Sequence, residues 1–375
     1  MTSRPDFGAT TTGTEVAEYF ADEIKGRNVV ITGVSPKSLG GTLAWTIARH
    51  RPYDLVLASR DRSDLQKVQK ELHQSTGVLA RLVVLDLGAQ ASVRDAATRI
   101  AGVMTHIDLL INNAGVVSSE RKTTSDGLEL QFGVNHIGHF LLTNLLMPKL
   151  LASGTPRVVN VSSLGYQISP IRFHDYNFEG KVIPAEEEPG PGFPSIFTPN
   201  AAEGRPYHGF CAYGQSKTAN ILHAVSLNEK FGSMKLRAYA VHPGTINTDL
   251  SRNLTPEDWA WIETTAKNGL WKTHDQGIAT TLVAALDPAL AGPHDKIFLS
   301  DCQFEDVENR ATDVEIAERL WQLSESLAGV KKQLGAHIYP YLGPQFKEAG
   351  LIKYGAVKVA NHAPKNPTAA AMPKV

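Results

Sequence analysis

Short runs of consecutive apolar residues recur through most of this chain, and the stretches between them carry apolar residues at helical spacing. The runs fall at 28–33, 54–59, 80–87, 107–115, 156–163, 236–242 and 296–300. Val, Ile and Leu follow one another in them without polar alternation, the signature of strands covered on both faces of a parallel sheet. The stretches between predict helices, among them 42–50 and 127–151. Another carries Ala219, Leu222, Ala224, Val225 and Leu227, and a last amphipathic one over 313–327 carries Ile316, Leu320, Leu323 and Leu327. This alternation predicts an α/β fold, a single doubly wound seven-stranded parallel sheet with right-handed crossovers and ligands at its carboxyl edge.

The pattern breaks in three places. Residues 1–24 form an N-terminal extension, with a loose Thr- and Gly-rich start before a short helix near 15–20. Within the 25–305 domain, an insertion at 166–212 is rich in Pro, Gly and acids, with Glu186-Glu187-Glu188-Pro189-Gly190-Pro191-Gly192 at its middle. Loops of that length in a compact domain are functional or mobile. After a C-terminal helix within 306–330, the tail 331–375 ends in a stretch rich in Ala, Pro and Lys that predicts partial disorder. Its Tyr339, Tyr341, Leu342 and Phe346 suit packing either on the body or on a partner subunit.

At 375 residues the chain has room for two average domains, yet α/β folds of nearly this size commonly form one. A formal net charge of -1 offers no basic surface for nucleic acid. Cys211 and Cys302 are far apart and lack metal-ligand spacing, as in a reducing compartment. No apolar run reaches the ~18 residues of a membrane helix, since 137–151 is interrupted by His139, Thr143, Asn144, Pro148 and Lys149. With no apolar signal core at the N-terminus, a soluble cytoplasmic protein is the expectation.

The candidate chemistry begins where the first run ends. Thr32-Gly33 opens through Val34-Ser35-Pro36-Lys37-Ser38-Leu39-Gly40-Gly41 into a helix. A strand, a glycine-bearing turn and a helix N-terminus make an anion site suited to a diphosphate. The second run ends on Arg60, which attracts a ribose 2′-phosphate where an acid would repel it. Lys37 adds a second cation; the alternative leaves both as solvated surface charges. Ser63-Asp64-Leu65-Gln66 fits a capping box with Ser63 as the cap. His136 and His139 lack a Cys or carboxylate companion, so packing or surface histidines are expected, and no metal. Tyr213 and Lys217 fall one helical turn apart. A fixed ammonium beside a phenol lowers a pKa that is otherwise ~10. The alternative is an aromatic stem beside a snorkelling lysine.

Thr32-Gly33 with Gly40, Asn112-Asn113-Ala114-Gly115, Asn135, Val161-Ser162-Ser163, Tyr213-Gly214-Gln215-Ser216-Lys217 and Pro243-Gly244 with Thr248 agree in order and spacing. Together they resemble the short-chain dehydrogenase/reductase family, over roughly residues 25 to 305. The glycine loop departs from the family spacing by one extra residue, with Ser38 where the middle glycine would stand. The flanks of the insertion, 171–175 and 209–213, resemble the retinol-dehydrogenase-like branch.

The resemblance implies a Rossmann-type domain that binds NADP(H), ahead of NAD(H). Gly33, Ser35, Lys37, Ser38, Leu39, Gly40 and Arg60 would hold its phosphates, and Asp86 and Leu87 its adenine. Asn113, Ala114, Gly115, Pro243, Gly244 and Thr248 would line the rest, with Tyr213 and Lys217 at the nicotinamide end. The implied reaction interconverts a carbonyl and an alcohol. Ser163 bonds the carbonyl, its neighbour Ser162 facing the other way; Tyr213 is the general acid/base. Lys217 lowers the Tyr213 pKa and bonds the ribose, and Asn135 holds a water that connects Lys217 to solvent.

Residues 249–273 carry Leu250, Leu254, Trp259, Trp261, Leu270 and Trp271. The family uses this segment as a substrate lid, and core packing of the indoles is the alternative. A bulky apolar small molecule is the expected substrate, and a homodimer is implied by resemblance. Two rival functions stand beside this one: a redox-silent NADP-binding regulator or scaffold, and an isomerase or dehydratase using the same site.

Overall fold

The computed structural model describes residues 1–189, 207–248, 250, 254–265 and 269–330. Among them eight strands form one sheet: β1 Asn28–Thr32, β2 Asp54–Ser59, β3 Arg81–Val84, β4 Leu109–Asn112, β5 Arg157–Val161, β6 Arg237–His242, β7 Phe298–Ser300 and β8 Gln303–Phe304. Their order is β3-β2-β1-β4-β5-β6-β7-β8, with every pairing parallel except β7 with β8. The expected seven parallel strands are therefore joined by an eighth, antiparallel one. It is two residues long, too short for any apolar run, and the turn before it sets Asp301 and Cys302 at φ of 48° and 64°.

Helices cover both faces. They are α1 Gly13–Tyr19, α2 Ala21–Ile24, α3 Leu39–Ala48, α4 Arg62–Thr76, α5 Gln90–Val103, α6 Leu130–Phe132, α7 His139–Leu151, α8 Gly209–Phe231, α9 Pro256–Thr265, α10 His274–Leu286 and α11 Val314–Ala328. One core layer joins α1, α3, α4 and α10 to one face of the sheet through residues such as Val16, Leu43, Leu65 and Ile278. The other joins α5, α7, α8 and α11 to the opposite face through Ile100, Leu142, Leu222 and Leu320. β1, β4 and β5 are buried at every position, which is why their sequences read as unbroken apolar runs. The run at 80–87 outlasts its strand because Leu85 and Leu87 are buried beyond the ladder.

Several local expectations are corrected. The segment 127–151 is not one helix: a π-helical turn, Gly133–Gly138, lies between α6 and α7. Gly138 permits close approach here, since a Cβ would come within 2.5 Å of Leu87 O. The cap of α4 is Asp61, whose carboxylate accepts Ser63 N–H and Asp64 N–H, so Ser63 lies inside the helix. The N-terminal start is pinned rather than loose. Thr2 and Phe7 are buried, Thr2 Oγ1 bonds Gln303 Oε1 at 2.6 Å, and Gln303 Nε2 donates to Arg4 O and Phe7 O.

The first half of the insertion is packed too. Phe178 is fully buried, Arg172 and Asp175 form an ion pair hidden from solvent, and Asp175 accepts the N–H groups of Glu179 and Gly180. Residues 190–206 of the insertion and the tail 331–375 lie outside the described residues. No helix among the described residues is long and apolar enough to cross a membrane.

His136, His139 and His223 are buried between the sheet and the α7/α8 layer. Burial holds His139 down to about 4 and His223 to about 3, and pushes His136 well below its usual range. Their folded values lie below the unfolded one of ~6.5, so the stability they permit is complete above that pH and lost as pH falls toward 4. Each histidine contributes up to about 1.4 kcal/mol per pH unit in that window. Denaturant unfolding at pH 7, 6 and 5 should show a slope that His223→Gln makes shallower; an unchanged slope in that variant would show that His223 titrates normally in the folded chain.

Candidate active site

A cleft of about 380 Å³ runs along the carboxyl edge of the sheet. It begins at Ser59, Arg60 and Asp61 after β2, passes Gly33, Ser35, Ser38 and Leu39, then Asp86 and Leu87, and crosses Asn113, Ala114 and Gly115. It ends at Tyr213, Lys217, Pro243 and Thr248. The turn after β1 works by close approach. Gly33 has φ +74°, and a Cβ there would sit 2.6 Å from Ala114 Cα; one on Gly40 would run into Gly33 O. Ser38 explains the departure from the glycine pattern. It is the N-cap of α3, its Oγ accepting Ser35 N–H at 2.9 Å and Gly41 N–H at 3.0 Å, so the extra length of the loop is folded into a capped turn.

Two of the expected cofactor residues separate here. Arg60 lines the cleft, whereas Lys37 is exposed and is not among its lining residues. Gly40 lies beneath the loop, and Gly244, at φ +100°, shapes the turn after β6 without lining the cleft. Asp61 beside Arg60 was not singled out from the sequence; its carboxylate is engaged as the α4 cap, which also holds its pKa low through the Ser63 hydrogen bond. Val134, Val116 and Leu250 line the cleft as well, and no polar motif marked them.

At the far end, α8 presents Tyr213 and Lys217 on one face. Ser163, just past β5, lies close enough to Tyr213 to pull its pKa down, and its Oγ accepts Gly165 N–H at 3.1 Å. Gly165 leaves room for the ring, since a Cβ there would lie 3.1 Å from Tyr213 Cε1. Ser162 turns the other way and donates to Lys217 O at 2.7 Å, which pins α8 to β5. The alternation expected of adjacent strand residues thus assigns the two serines different tasks.

The electrostatics differ from the expected pairing. Burial pushes Tyr213 up to about 12, and only Ser163 pulls it back. Lys217 Nζ donates to Val161 O at 3.0 Å, stands 5.3 Å from the centre of the Tyr213 ring, and is itself pushed down by burial to about 8. With the ammonium aimed at the Val161 carbonyl, burial and Ser163 set the Tyr213 pKa in this arrangement. Asn135 is likewise engaged: its Oδ1 accepts Val116 N–H at 2.8 Å, and its Nδ2 donates to Val116 O and Ser216 Oγ, both at 3.0 Å. Its place in the π-helical turn is the local distortion that a mid-helix Asn suggests.

Over this end lies an apolar cluster of Val117, Ile168 and Phe210, packed by Tyr213, Leu250, Leu254 and Ile262. Trp259 and Trp271 stack on each other with ring centres 6.2 Å apart, and the side chain of Trp261 lies outside the described residues. The segment 249–273 therefore covers the tyrosine with aliphatic residues, while these two indoles pair with one another. The turn after β6 meets the chain ahead of α10, because Thr245 and Trp271 form a bridge. Lys272 then runs along Gly244, whose Cβ would come within 2.5 Å of Lys272 Cδ, to pair with Asp301 at 2.6 Å.

The cleft suits a dinucleotide: a glycine turn closed against Ala114, a helix N-terminus at its middle, and a line of small residues leading to Tyr213. Among the described residues no cluster of His, Cys, Asp and Glu could hold a metal ion.

Lys217 supplies a test of the site's electrostatics that needs no ligand. Its folded pKa lies below the ordinary lysine value, so the cost of burying the ammonium is complete below about pH 8 and disappears as pH rises toward 10.5. Lys217→Met should raise stability at pH 7 by about 2 kcal/mol, the burial cost less the bond to Val161 O. The gain should shrink toward pH 10 in denaturant titrations, and a pH-independent difference would contradict this assignment.

Comparisons with known proteins agree with this geometry. The family model described as short chain dehydrogenase matches residues 27–177. Retinol dehydrogenase 11 of Homo sapiens is 35% identical over 312 residues, covering 82% of this chain and 87% of that protein. Oxidoreductase fscI of Fusarium equiseti is 35% identical over 246 residues, covering 64% of this chain and 94% of its own. Among solved structures, an uncharacterized protein from Mycobacterium paratuberculosis is 30% identical with a TM-score of 0.60, covering 82% of this chain and 94% of that one. The chain belongs to the short-chain dehydrogenase/reductase family, in its retinol-dehydrogenase-like branch, and is a dehydrogenase/reductase acting on CH–OH and C=O groups.

Proposed function

We propose that this chain is an NADP(H)-dependent oxidoreductase that interconverts a carbonyl and an alcohol on a bulky apolar substrate, with Tyr213 as general acid/base. The observation that carries the reading is the junction at Tyr213. Tyr213, with Ser163 beside it, stands where the dinucleotide cleft meets the apolar cluster of Val117, Ile168, Phe210, Leu250, Leu254 and Ile262.

A bound nicotinamide would supply or accept the hydride. In the direction of reduction, Ser163 Oγ donates to the substrate oxygen and holds it beside Tyr213. Tyr213 Oη gives its proton as the oxygen gains charge; a phenol pushed up to about 12 is fully protonated at neutral pH and ready to donate. Lys217 would reach the ribose, and Asn135 fixes the Val116 backbone and the Ser216 hydroxyl next to it. The aliphatic cover excludes water and favours an apolar substrate body. Retinol dehydrogenase 11, similar over most of its length, is named for an alcohol of that kind. Arg60 at the cleft, with Asp61 occupied by its helix cap, favours a 2′-phosphate over a bare ribose.

Tyr213→Phe should lower turnover by about 10²- to 10⁴-fold, with NADPH affinity within about two-fold of the parent. A variant that reduces a carbonyl at the parent rate would end the assignment. Arg60→Ala should weaken NADPH binding by about ten-fold while leaving NADH unchanged, read by thermal-shift titration of both cofactors. Equal losses for the two would show that Arg60 does not read the 2′-phosphate. Net NADPH consumption with a carbonyl panel distinguishes this chemistry from a scaffold or an isomerase.

A further inference from the structure

His139 closes a chain of hydrogen bonds between the two halves of the site. It is the first residue of α7, directly after the π-helical turn, and is buried. Its Nδ1 lies 3.0 Å from Asn135 O, and its Nε2 lies 2.9 Å from Thr32 Oγ1. Thr32 Oγ1 in turn receives Asn113 N–H at 3.0 Å and Ala114 N–H at 3.1 Å. The direction of every bond follows from what each atom can do. A carbonyl only accepts, so Nδ1 carries the ring proton; Nε2 then holds a lone pair and accepts from the threonine hydroxyl, whose other acceptor within reach, Ile111 O at 3.4 Å, is the more distant. That leaves the two lone pairs of Thr32 for the two backbone N–H groups, and no member of the chain lacks a partner. Burial favours the neutral ring that this arrangement needs, holding His139 down to about 4.

The two ends of the chain are the two things that an oxidoreductase site must align. One is the Asn113–Gly115 backbone that lines the cleft, beneath which Gly33 lies against Ala114. The other is Asn135, whose amide grips Val116 and Ser216, the residue next to Lys217. Gly115 sits between them: a Cβ there would be 3.5 Å from Asn135 Oδ1 and 3.7 Å from Lys217 Nζ.

We propose that His139 is a positioning residue, protonated on Nδ1, that ties the Asn135 carbonyl to the Thr32 hydroxyl and so holds the cofactor-facing turn after β4 in register with the Tyr213–Lys217 helix. Of its consequences, only those for NADPH binding and turnover rest on the function proposed above.

The test begins with the chain as it is. Histidine ¹⁵N NMR at pH 7 should show His139 with a protonated Nδ1 and an unprotonated Nε2; the opposite tautomer overturns the proposal whatever the protein's activity. Next, NADPH dissociation constants are measured for His139→Leu, Thr32→Val, the double variant and His139→Gln. A buried hydrogen bond left unmade predicts a loss of about ten-fold for His139→Leu and for Thr32→Val. The double variant should be no worse than the worse single one, because both break the same chain. His139→Gln, whose one amide supplies a donor and an acceptor, should recover most of the affinity. With a carbonyl substrate, kcat should fall in the Leu variant with KM little changed. Additive losses, or equal affinity in the Gln and Leu variants, would reduce His139 to a packing residue. Should the Leu variant fail to fold, Thr32→Val, His139→Gln and the tautomer still decide. A protein that binds NADPH but reduces no carbonyl would count against the proposed function and leave the tautomer and binding results standing.

Discussion

Everything at the carboxyl edge depends on how closely the turn after β1 lies against the turn after β4. Gly33 carries only hydrogen where any other residue would put a carbon 2.6 Å from Ala114 Cα. Asn113 Nδ2 reaches back to Thr32 O at 2.9 Å, so the two turns are bonded as well as packed. That contact closes the floor of the cleft and leaves the backbone N–H groups of Asn113 and Ala114 to the threonine hydroxyl. A second seam continues it deeper in the sheet, where Asn112 on β4 donates to Asn160 on β5 at 2.9 Å and to Thr143 on α7 at 3.0 Å. β1, β4 and β5 are thereby fixed edge to edge where the chemistry sits, by polar groups that burial makes costly to leave unpaired.

The charges of the site follow from the same burial. Tyr213 and Lys217 are both displaced toward their neutral forms, one up and one down, because the low-dielectric surroundings penalise either ion. Lys217 answers this by donating to Val161 O, while Ser163 draws the Tyr213 pKa partway back. The spacing of the two residues in the sequence suggested a charged pair, and it is the depth of the site, invisible in spacing, that changes the balance.

What the sequence could carry and what it could not divide along physical lines. Strands buried on both faces leave runs of Val, Ile and Leu, and β3, half exposed, keeps the run Leu82-Val83-Val84, so β1 to β7 were legible. β8 was not, since two residues have no period. The π-helical turn at Asn135 was signalled only by a poor helix former in mid-helix, because one extra residue in a turn barely shifts the apolar spacing around it. The N-terminal start looked loose because Thr and Gly say nothing about the side-chain amide of Gln303, about three hundred positions away, that holds it. In the site, Tyr213, Lys217 and Arg60 line the cleft and Ser163 lies beside Tyr213, while Lys37 is not among the lining residues. The amide of Asn135 serves as a strut for Val116 and Ser216, a use that its motif alone does not reveal.

The turn after β6 and the chain ahead of α10 meet at one point, where Thr245 bridges Trp271 and Lys272 is locked between Gly244 and Asp301. A loop whose ends are clamped side by side can change its length and its contents while the clamp stays still, and added length costs only slowly rising closure entropy. Residues between the clamped ends can thus vary in number without moving the sheet edge, whereas Leu250, which lines the cleft and packs with Tyr213, ties the contents of the loop to the site itself.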